Sequence, residues 1–188
     1  MSSFRTLGLA SQALLVLSMF VRASVAIMSG TCTCSLNPTT TIVLYIQAIL
    51  FTGSNSNYTE YPVAGIQGTE YSITQFATFY VFDDPVTISS SPTSTMVGRY
   101  RGIFAVASLD GKVLYLSATI QFTGGQYANS TINIEGLAST VVNMPMQLSI
   151  DGGTNAFNNA IGNVTLETIS SIGPNIVLKA TINTRNAI

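Results

Sequence analysis

Val97-Gly98-Arg99-Tyr100-Arg101-Gly102-Ile103-Phe104-Ala105-Val106 runs into Asp110-Gly111 and returns as Val113-Leu114-Tyr115-Leu116-Ser117-Ala118-Thr119-Ile120-Gln121-Phe122. Both runs are rich in β-branched and aromatic residues, and neither carries the apolar period of a helix. Asp-Gly between two such runs is a strong hairpin signal, since a type I′ turn wants positive φ at both central residues. The segment therefore reads as two antiparallel strands.

The same unit recurs in both directions. Downstream, Gly124-Gly125 turns the chain into an alternating run, Ser130 to Ile134, and after Gly136 comes Val141 to Ile150. Gly152-Gly153 turns into Phe157 to Ile169, and Gly173-Pro174 into Ile176 to Ile182. Upstream, Ser89 to Thr95 is a Ser/Pro/Thr loop, preceded by a run from Tyr71 to Phe82 that stops at Asp83-Asp84-Pro85. Proline cannot donate to a ladder, so that tripeptide marks a strand end or edge. The first run, Thr41 to Phe51, is followed by a polar stretch and a looser one containing Pro62, Gly65 and Gly68. Eight or nine strands with regular turns predict an all-β fold, an antiparallel up-and-down β-barrel or a sandwich, and the sequential hairpins favour the barrel, of about eight strands. A barrel of that size holds packed side chains or one small ligand.

Composition narrows the chemistry. Of 188 residues, 47% are hydrophobic and only 8% charged, with a formal net charge of -1. So few cations cannot track a phosphate backbone, so nucleic acid is not an expected partner. The chain has no histidine. That removes Ser-His-Asp and Cys-His nucleophile systems and the commonest metal ligand, and no metal site is expected. A surface this poor in charge relies on Ser, Thr, Asn and Gln, or is covered by sugars or by other copies of the chain. A homo-oligomer is expected on this ground.

The N-terminus reads as an address. Arg5 precedes an apolar stretch from Ala13 to Val21, and Ser24-Val25-Ala26 offers small residues for cleavage. Residues 1–26 are read as a secretory signal peptide, 27–40 as a mobile N-terminal segment and 41–188 as the barrel domain. The apolar stretch is shorter than the about 20 residues of a membrane span, so no membrane association is expected after cleavage. Cleavage removes Arg5 and Arg22, leaving five basic and eight acidic residues, a charge of -3. Sequons at Asn57, Asn129 and Asn163 fit a secreted route. Asn57 is the best glycan candidate, lying in a polar stretch, and Asn163, inside an apparent strand, the weakest. Cys32 and Cys34 have one residue between them, at the limit of disulfide geometry. An interchain link, a strained local bridge and free thiols all remain open.

Four segments in order carry a family resemblance. Phe76-Ala77-Thr78-Phe79-Tyr80-Val81-Phe82-Asp83-Asp84-Pro85-Val86-Thr87 resembles the hallmark of the plant dirigent family, an apolar strand entering Phe-Asp-Asp-Pro-Leu-Thr. Val97-Gly98-Arg99-Tyr100-Arg101-Gly102 is similar to its Val-Gly-x-x-x-Gly strand. Gly125, Tyr127, Asn129, Ser130 and Thr131, continued by Ile134-Glu135-Gly136, match its next turn and strand. Gly152-Gly153-Thr154-Asn155, Phe157 and Gly162 resemble its Gly-Gly-Thr-Gly segment. The match covers about two thirds of the mature chain. The resemblance implies an eight-stranded barrel, secretion to the apoplast or cell wall, and a homo-oligomer, with a trimer favoured over a dimer. It also implies binding of phenoxy radicals of monolignols such as coniferyl alcohol and guidance of their stereoselective coupling in lignan and phenylpropanoid metabolism. The radicals come from a separate oxidase, a laccase or peroxidase, and the protein needs no cofactor of its own. The related allene oxide cyclases share such a barrel.

The chain departs from that pattern where the chemistry is concentrated. Family members with a defined lignan product carry His-Asp in the first strand, where Gln47-Ala48 stands here. An acid usually precedes the Gly-Gly-Thr turn where this chain has Gln147, and two arginines follow it where this chain has Asn158 and Ile161. Tyr127 is the surviving pocket residue, and Tyr127, Gln47, Gln147 and Phe157 are the substrate-binding candidates. Amides orient a ligand but cannot protonate it, so no catalytic residue is assigned. Asp83, Asp84 and Asp151 read first as turn residues. The alternative function is a non-catalytic cell-wall or defence barrel binding a phenolic or a carbohydrate.

Overall fold

A computed structural model describes residues 39–68 and 71–186. The expected signal peptide, nearly all of segment 27–40, Cys32 and Cys34 lie outside the described residues. Nine strands follow in order: β1 (Thr40–Ile49), β2 (Glu60–Ala64), β3 (Phe79–Thr87), β4 (Met96–Val106), β5 (Val113–Phe122), β6 (Thr131–Ser139), β7 (Met146–Thr154), β8 (Ala160–Ile172) and β9 (Asn175–Asn186). From β3 to β9 each strand pairs antiparallel with the next, and β1 closes the ring between β9 and β3. This is the closed eight-stranded barrel that the sequential hairpins favour over a sandwich and that the family resemblance implies, with β2 added as a ninth strand.

The addition is made on β3, which serves two neighbours in succession. Its beginning, Phe79 to Phe82, pairs with β2, and its end, Val86 and Thr87, pairs with Ile46 and Tyr45 of β1. Asp83, Asp84 and Pro85 fall in the notch between, laddered only to β4 on the other side. The Asp83 N–H donates into this notch, to the Thr59 carbonyl at 2.9 Å. Pro85, two residues on, faces the same way, so its missing donor breaks no ladder bond. The sequence predicts a strand end or edge at Pro85, and the structure shows the second: the chain continues through it as a local edge. Pro62 is tolerated in β2 for the same reason, since β2 has a partner on one side only.

Two further expectations change. The run predicted from Tyr71 becomes a strand only at Phe79, because residues 71–78 fold as turns with Ala77 at φ 65°. This loop is pinned to β4 by Ala77 N–H to Val106 O and Val106 N–H to Thr78 O, both 2.9 Å. Asp110-Gly111 does reverse the chain, but only Gly111 has positive φ, 70°, and its N–H donates to Ser108 O at 3.0 Å. The turn is therefore a longer loop ending in one left-handed residue. A Cβ on Gly111 would stand 2.0 Å from the Thr74 carbonyl oxygen, which explains a glycine where loop meets loop.

Alternation along each strand builds the core. On β5, Leu114, Leu116, Ala118, Ile120 and Phe122 point inward and are buried, while Tyr115 and Gln121 are exposed. Ile46, Ile120, Ile132, Val164 and Ile182 are fully buried and fill the middle of the barrel. Each such side chain contributes about 1.5–3 kcal/mol on burial. Gly162 is a tight point of this wall: its φ is +147°, and an added Cβ would lie 2.0 Å from the Asn183 carbonyl oxygen. Gly162→Ala is expected to destabilise the barrel by roughly 3 kcal/mol, combining backbone strain with overpacking. A urea midpoint unchanged from wild type would contradict this.

Candidate functional site

The barrel interior is closed at one end and hollow at the other. At the end where β5 passes to β6 and β7 to β8, the rings of Phe122, Tyr127 and Phe157 pack on one another, with centroids 5.0–5.6 Å apart. Toward the opposite end, where β4 turns into β5 and β8 into β9, lies a cavity of about 110 Å³. That is room for a few waters or one aromatic ring. Its walls are apolar, with Phe82, Phe104, Leu116, Leu166 and Leu178, and Ser139, Thr140, Thr168 and Ser171 also line it. Tyr80 stacks on Phe104 with centroids 4.6 Å apart, and Phe82 tilts against Tyr100 at 4.8 Å.

One wall of the cavity is polar. Glu60 and Tyr100 both line it, and Asp84 stands across the ladder from Tyr100. Strand alternation puts the neighbouring acids of β3 on opposite faces. Asp83 faces outward, where Arg99 and Arg101 reach one of its oxygens at 2.6 and 2.9 Å. Some burial pushes its carboxyl up, but the two guanidinium groups outweigh that and hold it below the usual range. Asp84 faces inward with no exposed surface. Its Oδ1 accepts a hydrogen bond from the Thr59 hydroxyl, and that hydroxyl also accepts from the Ile49 N–H at 2.8 Å. The notch between β1 and β2 is thus where a carboxyl enters the barrel.

Burial sets the charge state of this wall. Desolvation pushes the Glu60 carboxyl up to about 7. Asp84 is pushed well up by burial first and then by the Glu60 charge, against smaller opposing effects of Thr59 and Arg99. The Tyr80 hydroxyl rises to about 12 through burial and Glu60, and Tyr100 rises through burial and both acids. Asp84 Oδ2 and the Tyr100 hydroxyl are enclosed without a hydrogen-bond partner. A polar atom in that condition costs about 1–3 kcal/mol. Among the described residues, no three His, Cys, Asp or Glu side chains converge to hold a metal ion.

The residues singled out from sequence are dispersed. Tyr127 and Phe157 sit in the aromatic plug at the closed end. Gln47 faces outward from β1, its amide donating to the Thr87 hydroxyl at 3.1 Å and the Ser90 carbonyl at 3.3 Å. Gln147 is exposed on β7, while its neighbour Met146 lines the cavity. Asn57 and Asn129 are exposed, whereas Asn163 is half-buried with its amide oxygen enclosed. The inward acids Glu60 and Asp84 and the cavity tyrosine Tyr100 were not among the candidates. The alternation of β3 was the available signal for Asp84.

Residues 39–184 match the dirigent-like protein family along the barrel just described. This chain is a member of that family. Pterocarpan synthase 1 of Glycine max is 33% identical over 87 residues, 46% of this chain and 47% of that protein. Dirigent protein 1 of Arabidopsis thaliana is 29% identical over 126 residues, 67% of this chain and 69% of that protein. The dirigent-like chain thus spans from about half to about two thirds of the length of these relatives. A solved structure of a pterocarpan synthase dirigent protein superposes with a TM-score of 0.73 at 22% identity, covering 81% of this chain and 98% of that one. At that identity the superposition speaks for the shared dirigent barrel.

Proposed function

We propose that this dirigent-like barrel is secreted to the apoplast, takes a phenolic guest into its hollow end and guides the stereochemistry of its coupling. The guest is a phenoxy radical of the monolignol class, generated by a separate laccase or peroxidase. The observation that carries this reading is the aromatic cavity framed by Phe82, Tyr100 and Phe104 in a chain of this family. Apolar walls with a few convergent polar groups are the ordinary make-up of a small-molecule site. Relatives named dirigent protein and pterocarpan synthase suggest that one barrel serves more than one phenolic chemistry. A homo-oligomer, with a trimer ahead of a dimer, belongs to the same reading. It is supported by exposed Tyr61, Val63, Phe79, Val81 and Ile103 on the outer faces of neighbouring strands β2 to β4. The exposed Asn57 would carry the glycan.

The test is oxidative coupling by laccase of coniferyl, p-coumaryl and sinapyl alcohols, with and without the protein, read by chiral chromatography. An enantiomeric excess is expected for at least one alcohol and is lost in Leu116→Trp, which fills the cavity. With coniferyl alcohol the excess is expected to be small, because Ala48 supplies no acid and Gln147 faces outward. The same two positions favour the second reading, a binding barrel without coupling activity. Racemic product from every alcohol, with binding intact, would decide for that reading.

A further inference from the structure

Resting on the phenolic reading of the cavity, we infer that Glu60 is its ligand-anchoring acid: in the neutral form its carboxyl donates a hydrogen bond to an oxygen of a guest lying against Phe82, Tyr100 and Phe104. The proposal assigns a binding residue to β2, the strand outside the eight-membered ring, where none of the segments resembling the family pattern falls.

Three observations converge on it. Glu60 is 9% exposed and lines the cavity from the start of β2, where it pairs with Phe82 of β3 and bridges to Leu50 beyond β1. Tyr100, 2% exposed, also lines the cavity, and its hydroxyl has no partner. Asp84, opposite Tyr100 on β3 and fully buried, holds Thr59 with one carboxyl oxygen and leaves the other unpartnered. Polar atoms enclosed beside an empty apolar space are satisfied by an occupant that brings donors and acceptors of its own. A phenol does so with a ring for the aromatic wall and a hydroxyl for the polar one.

The groups around Glu60 fix the charge of guest that is admitted. From β3 the Asp84 carboxyl and the Tyr80 hydroxyl feel its charge, from β4 the Tyr100 hydroxyl, and among the described residues no lysine or arginine lines the cavity. Arg99, which acts on Asp84 from outside, is engaged with Asp83 on the outer face. On the acid side of neutrality the Glu60 carboxyl is neutral and can donate to a neutral phenol; once it ionises, it carries a buried negative charge and loses its proton donor. The cavity is therefore a site for neutral hydroxylated aromatics whose affinity is gated by one proton.

The experiment is calorimetric titration of the secreted, full-length mature protein with coniferyl alcohol, without oxidase, from pH 5.5 to 8. The phenol of the probe stays neutral over this range. Wild-type affinity is expected to hold to about pH 6.5 and to be about tenfold weaker at pH 8, following the fraction of neutral Glu60. Glu60→Gln keeps size and a donor, and is expected to bind equally at both ends of the range, while Asp84→Asn keeps the pH step. Wild-type affinity independent of pH, or a step that survives in Glu60→Gln, would overturn the assignment and leave phenol binding standing. No binding of coniferyl alcohol at any pH would sink the phenolic reading and the anchor with it. Infrared difference spectra of the wild type give a readout that needs no variant to fold. Addition of the probe at pH 6 should shift a neutral carboxyl band, and an unshifted band would count against Glu60.

Discussion

Raising the pH from 5 to 8 is expected to remove about 3 kcal/mol of folding stability through Glu60 alone. The folded carboxyl titrates at about 7, against 4.5 for the free side chain. Between those values the unfolded chain has released the proton and the folded barrel still holds it, so stability falls as pH rises and levels off above 7. Asp84, also displaced upward, adds loss of the same sign. Asp83, displaced downward by its arginines, acts in the opposite sense, but its contribution is lost only below the usual carboxylate range. In a barrel of this size the Glu60 effect corresponds to a Tm lower by about 6–12 °C at pH 8 than at pH 5. Thermal unfolding followed by circular dichroism at the two pH values measures it, with Glu60→Gln expected to show a clearly smaller difference. Equal Tm values for the wild type would mean that Glu60 ionises inside the barrel as freely as in water.

Phe104→Ala is expected to cost about 3–5 kcal/mol, the range for truncating a buried aromatic ring. Phe104 is 4% exposed, stacks on Tyr80 and meets Phe82 at 6.0 Å. It borders space that is already empty, and the removed ring would merge with the cavity rather than let the wall collapse. The cost should therefore fall toward the upper part of the range. The same substitution removes a face against which the proposed guest lies, so affinity for coniferyl alcohol should fall with stability. Urea denaturation measures the first effect and calorimetric titration the second. A loss under 1 kcal/mol would show that the wall closes over the gap.

The barrel was legible because its strands announce themselves at their ends. Gly124-Gly125, Gly152-Gly153 and Gly173-Pro174 mark reversals, and Leu114 through Phe122 alternates as a half-buried strand does. What escaped was decided by partners distant in sequence. Nothing between Tyr71 and Thr78 says that its backbone will bond to Val106 and form a loop instead of a strand. Tyr61-Pro62-Val63 reads as loose chain because its one ladder is supplied by β3. The polar site was hidden more deeply. Asp83-Asp84-Pro85 looks like a turn, and only passage of the strand through it sends the two acids to opposite faces. Glu60 ends a polar stretch, and its burial follows from the place where β2 lies down on β3. Tyr127 was legible as an aromatic of the family pattern, but not which end of the barrel it would occupy.

The closure of the ring has a consequence for the order in which the protein can be made. β1 is the earliest strand of the barrel, yet its long ladder, ten residue pairs from Thr40–Thr184 to Ile49–Asn175, is with β9, the latest. Its other join, to β3, amounts to two pairs. Strands β3 to β9 can add one after another as the chain emerges, each hairpin closing a short loop. β1 must wait until nearly the whole domain has been synthesised, holding Ile42, Leu44 and Ile46 unpaired in the meantime. A growing chain therefore carries the apolar residues of β1 without their main partner strand for longer than those of any other barrel strand. Chaperone demand during synthesis should then be set by the first strand rather than by the bulk of the sheet.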